Sequence, residues 1–130
     1  MSKILTILLL FAGVTCLSGC DIGRIPEKVE GLPNTFRREP LRRKEKVLSV
    51  LVQDSAGPAW LIMAVESIDL NDFKVQVGVL PKGFEQMIPP DSQEFTLVAG
   101  NTYSVAIMTD VRNHDCAYVL QMPISWTAEE

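Results

Sequence analysis

His114, Asp115 and Cys116 bring a base, an acid and a thiol side by side. A cysteine nucleophile needs its base within hydrogen-bond reach. Three consecutive residues on an extended strand cannot supply that, because neighbours point to opposite faces. Cys116 is also in phase with Tyr118, Leu120, Met122, Ile124 and Trp126, which puts it on an apolar face. The residues therefore read as a buried, inert cysteine beside a polar turn. His114 is the only histidine, so no other site can draw on one.

Asp69, Asn71 and Asp72 share one turn and carry oxygen ligands. The spacing of a calcium-binding EF-hand and its closing glutamate are missing, so a solvated turn is the reading. No pair of Cys or His has zinc-ligand spacing. There is no glycine-rich phosphate loop. Acidic residues are plentiful, but no spacing selects a glycosidase-like carboxylate pair. The expectation is a protein that is not an enzyme and takes no metal, cofactor or small-molecule substrate.

The elements that would position these residues are strands. Residues 47–52 are a β-rich run closed by the turn signal of residues 53–58. Residues 60–65 form a second apolar run, expected to be buried on both faces. Phe73, Val75, Val77 and Val79 alternate with Lys74 and Gln76, which predicts a strand with the apolar set inward. Residues 81–92 read as a loop rich in Pro and Gly, and residues 94–98 as a short strand. The last two strands are expected at 103–110 and 116–126. Strands this short, with turns every 8–12 residues, point to an all-β sandwich over residues 46–130.

Leu97-Val98-Ala99-Gly100-Asn101-Thr102-Tyr103 is similar to the tyrosine corner of fibronectin type III and related immunoglobulin-like sandwiches, Leu-x-x-Gly-x-x-Tyr. The resemblance implies that Gly100 permits the tight crossover. Tyr103 would then pack inside with its hydroxyl bonded to upstream backbone. A core tryptophan is also implied, and Trp60 is the candidate.

The N-terminus reads in three parts: Lys3, an apolar run from Ile4 to Val14, and Leu17-Ser18-Gly19-Cys20. The uncharged stretch would span about 24 Å as a helix, short of the roughly 30 Å of a bilayer core. A signal peptide over residues 1–19 fits better. Leu-Ser-Gly-Cys resembles the bacterial lipobox. That implies cleavage before Cys20 and acylation of Cys20, a covalent lipid that anchors the chain to a membrane. Asp21 directly after the lipidated cysteine implies, by the sorting habit of enteric lipoproteins, retention at the inner membrane facing the periplasm. Cys116 would be the only thiol left, so no intramolecular disulfide is expected.

Residues 20–45, broken by Pro26, Gly31, Pro33 and Pro40, read as an extended linker. From Asp21 to Lys46 there are eight Lys/Arg and five Asp/Glu; from Val47 onward there are three and eleven. A basic stem would thus carry an acidic domain. Arg37, Arg38, Arg42, Arg43, Lys44 and Lys46 form a solvated segment or one that rests on anionic lipid. The acidic domain disfavours nucleic acid and suits a basic protein partner. Phe84, Glu85, Met87 and Ile88 lie in the longest loop and are the candidate contact residues. Lipobox, stem and sandwich together resemble the periplasmic immunity lipoproteins paired with type VI secretion effectors. The function expected is a protein-binding module that neutralises such an effector. The alternative is an accessory lipoprotein of an envelope secretion or pilus assembly machine. Lysozyme-inhibitor lipoproteins fit less well, because their Ser-Gly-x-x-Tyr loop and disulfide are absent here.

Overall fold

Val50 and Val52 alternate with Leu51 and Gln53, and Trp60 and Ile62 with Leu61 and Met63. That period of two builds the central hairpin of the computed structural model, which describes residues 25–40, 44–91, 93–110 and 123–130. The hairpin arms are β3 (Val47–Asp54) and β4 (Gly57–Ala64). Ser55 and Ala56 turn the chain, and the Asp54 Oδ1 accepts the Ala56 N–H at 2.8 Å. The other strands are β1 (Glu27–Lys28), β2 (Thr35–Arg37), β5 (Val75–Gln76), β6 (Phe84–Ile88), β7 (Thr102–Thr109) and β8 (Ile124–Thr127).

Two antiparallel sheets pack as a sandwich. One has the order β1-β2-β5, the other β6-β4-β3-β7-β8. The placement of β1, β2 and β5 together, against β3 beside the last two strands, is the Greek-key order of immunoglobulin-type sandwiches. The core lies between the sheets. Phe36 and Val75 from the small sheet face Val50, Val52, Trp60, Ile62, Val105 and Ile107 from the large one, and all of these are buried. Phe36 meets Trp126 edge-on across the gap at 4.7 Å.

The tyrosine corner forms as its motif implies. Val98 donates its N–H to the Tyr103 hydroxyl at 3.0 Å, and the ring is buried beside Phe95 and Trp126. The N–H of Asn101 bonds the carbonyl of Val98 at 3.1 Å, closing a turn. Gly100 sits at φ 91 in that turn, a conformation that costs a side chain dearly.

Several expectations change. The linker reading fails for residues 26–38 and for Glu45. Pro26, Phe36, Arg38 and Glu45 are buried, and β1 and β2 are part of the sandwich. Strands of two and three residues carry too little alternation to be seen beside prolines and glycines. The sandwich therefore takes in β1 and β2 as well, and residues 25–130 hold ten Lys/Arg against fifteen Asp/Glu. The run at 60–65 is buried on one face only, since Met63 and Val65 are exposed. Val79 is exposed too, because the chain turns after Val77 and the Val79 N–H bonds the Gln76 carbonyl. Residues 84–88 are a strand and not loop. Residues 94–98 alternate in burial but join no ladder.

The basic cluster is largely occupied within the fold. Arg37 pairs with Glu27 at 2.8 Å and Lys46 with Asp69 at 2.7 Å. Arg38 is fully buried against Glu45. Arg42 and Arg43 lie outside the described residues.

Candidate binding surfaces

β6 is the place to start, because it carries the four contact candidates. Among the described residues it pairs only with β4 and so forms one edge of the large sheet. Alternation along it sends Phe84 inward and Glu85 outward. Phe84 is 7% exposed and packs on Phe73 with ring centroids 5.3 Å apart. It is a core residue and not a protruding anchor, which corrects the sequence reading. Met87 is 47% exposed, Glu85 is exposed, and Ile88 is half-buried opposite Leu61. The structure thus keeps three of the four candidates accessible.

Gln86 organises the residues after β6. Its Oε1 accepts the Trp60 indole N–H at 3.0 Å, and its Nε2 donates to the Pro89 and Gln93 carbonyls. Trp60 is thereby a buried core tryptophan with its one polar atom satisfied, stacked on Phe95 at 6.0 Å. Pro89 and Gln93 are thus tied to β6 through one side chain.

Two surfaces emerge. The first is the outer face of the large sheet. Cross-strand pairing runs Ala106 to Leu51, Leu51 to Leu61, and Leu61 to Ile88 in one row. The next row is Met108, Ser49, Met63 and Glu85. An antiparallel sheet with one face in water ordinarily places polar residues there. Here Glu85 is the only charge in the two rows, and Met63 and Met87 are exposed beside it. The unbroken apolar run at 60–65 hides this face in the sequence, because it reads as buried on both sides.

The second is a groove of about 790 Å³ between residues 77–80 and residues 93–97, with β6 along its side. Val77, Phe84, Phe95 and Leu97 give it apolar walls, and Glu85, Asp91 and Glu94 line it with carboxylates. Among the described residues, no lysine or arginine lines it.

At the back of the groove stands Asn34, at φ 51. Asparagine tolerates that left-handed backbone better than most residues. Its Oδ1 accepts from the Trp126 indole at 3.0 Å and from the Glu129 N–H at 2.9 Å, and its Nδ2 donates to the Glu129 carbonyl at 3.0 Å. Its own carbonyl accepts the Val77 N–H. This residue fixes β8 to the small sheet, and nothing in its sequence context singled it out.

The remaining candidates are quickly placed. Asp69 is held by Lys46, and Leu70–Asp72 is a 3-10 turn. Among the described residues, no group of three or more His, Cys, Asp or Glu side chains comes together as a metal site. Cys20, Asp21, the signal-peptide residues 1–19 and the His114-Asp115-Cys116 triplet lie outside the described residues. No family of known proteins, no curated protein and no solved structure matches the chain.

Proposed function

We propose that the chain is a lipoprotein of the bacterial envelope, anchored through lipid on Cys20, whose sandwich is a protein-binding module and not an enzyme. The finer reading is an immunity protein at the periplasmic face of the inner membrane that neutralises a type VI secretion effector. The lipobox-like Leu17-Ser18-Gly19-Cys20 supports the anchor. The observation that carries the binding role is the uncharged outer row of buried Ala106 and half-buried Leu51, Leu61 and Ile88, flanked by exposed Met63 and Met87, where a free antiparallel sheet would be polar. Burying such a face against a partner gains roughly 25 cal/mol per Å² of apolar area, while a charge placed in it would have to be desolvated.

The test is a competition assay. A strain lacking this chain, attacked by kin that secrete effectors, should lose viability, and the intact chain should restore it. Leu61→Glu should abolish rescue while the purified variant keeps its unfolding midpoint within a small shift. Cys20→Ser should abolish palmitate labelling and reduce rescue. Rescue by Leu61→Glu as good as by the intact chain removes the face from the account. Unchanged survival of the deletion strain, together with a defect in pilus or secretion assembly, replaces immunity with the envelope-machine role.

A further inference from the structure

We propose that the groove at the open edge of the sandwich docks an extended, lysine- or arginine-bearing segment of a protein partner by strand addition to residues 94–97. This rests on the reading of the domain as a protein binder, and the groove shares only Glu85 with the two outer-face rows.

The first observation concerns the backbone. Residues 94–97 belong to no strand, but Glu94 and Thr96 are exposed and Phe95 and Leu97 half-buried, the alternation of a strand. Phe95 is held by Trp60 and Tyr103, so the segment is pinned to the core by its side chains. Yet among the described residues the N–H and carbonyl groups of residues 94–97 make no hydrogen bond. Residues 77–80, which follow β5 at the edge of the small sheet, form the opposite wall of the groove. A row of unpaired backbone groups on a segment with strand alternation is a template for another chain, and peptides that add to such edges gain main-chain hydrogen bonds.

The second observation is charge. Glu85, Asp91 and Glu94 line the groove, with no cation among its described lining residues. The walls between these carboxylates are apolar, Val77 and Phe84 among them. An incoming strand points alternate side chains to opposite sides. One set would meet the apolar walls and the other the carboxylates. The segment that fits alternates small apolar residues with lysine or arginine, and its approach is steered by the field.

The probe is a fluorescein-labelled peptide of about eight residues in which Lys alternates with Val and Thr, titrated onto the full chain. Binding should weaken as salt rises. Asp91→Lys with Glu94→Lys should weaken it about tenfold, as should methylating alternate backbone nitrogens of the peptide. The amides of Phe95 and Leu97 should exchange more slowly in the complex. Leu61→Glu, which spoils the outer face, should leave peptide binding unchanged, so failure of the groove and failure of the face are read separately. The proposal is overturned if the lysine peptide does not bind, if a glutamate version binds as well, or if backbone methylation has no effect. Self-association of the chain that competes with the peptide would assign the groove to a second copy and overturn it too.

Discussion

Arg38 and Glu45 form an ion pair in which both side chains are fully buried, one from the end of β2 and the other just before β3. The guanidinium also donates to the Ile107 carbonyl at 3.0 Å and to the Thr109 hydroxyl at 3.4 Å. The Thr109 hydroxyl in turn donates to the Glu45 carboxylate. Burial pulls the Arg38 guanidinium below its ordinary value, and the charge and hydrogen bond of Glu45 push back. The pair bolts the small sheet to β7. Desolvating two ions offsets most of their attraction, so the net contribution is small, but either ion alone is costly. Arg38→Met and Glu45→Leu should each destabilise by about 3–5 kcal/mol. The double variant should recover most of that loss. Urea midpoints followed by tryptophan fluorescence give the coupling, and a double variant as unstable as the sum of the singles would show that specific packing, not paired charge, holds the site.

Asn34 supplies the second prediction. Its side chain makes three hydrogen bonds to Trp126 and Glu129, and its backbone sits at φ 51. Asn34→Gly keeps the backbone easy but loses the bonds, which should cost about 2–3 kcal/mol. Asn34→Ala adds the left-handed penalty of about 1 kcal/mol on top. Trp126 loses its indole partner in both, so its emission should shift. Equal stability of the alanine and glycine variants would mean the backbone relaxes out of the left-handed region.

What the sequence revealed and what it hid follow from strand length. β3, β4 and β7 each have eight residues, long enough for alternation to show, and all three were legible. The Tyr103 corner was legible because it is a local motif that needs glycine at one place. β1, β2 and β5 have two or three residues, and only tertiary pairing makes them strands. Buried Arg38 was hidden for a different reason. A charge among other charges reads as solvated, and its partner Glu45 is identified only by the fold. Phe84 and Met87 were picked from a supposed loop; once the segment is a strand, parity alone decides which one faces water.

Tyr103→Phe tests the corner with one atom. The lost hydroxyl leaves the Val98 N–H without its acceptor while the ring stays packed between Phe95 and Trp126. The expected loss is about 1–1.5 kcal/mol, with the urea midpoint falling and the slope unchanged. Because residues 94–97 lead directly into this corner, their amides should exchange faster in the variant. Unchanged exchange there would mean Phe95 alone pins the segment.

Acid should loosen the C-terminal end of the sandwich. Lys28 of β1 pairs with Glu129 just beyond β8. The hydrogen bond from Lys28 holds the Glu129 carboxyl below the ordinary carboxylate range, against some burial, with the Lys28 charge and a backbone bond at Asn34 adding to it. A folded-state value below the unfolded one means that the unfolded chain binds the proton first. The stabilisation is therefore present in full above the ordinary carboxylate range and is lost as pH falls through the lower, folded-state value. Both side chains are 44% exposed, so the effect is modest and should shrink in salt. Lys28→Met should lower the urea midpoint at neutral pH and flatten the acid limb of the stability curve. Below the carboxylate range the variant and the parent should converge. A gap that persists in acid would show that Lys28 contributes through the packing of its stem over the β1–β2 hairpin and not through its charge.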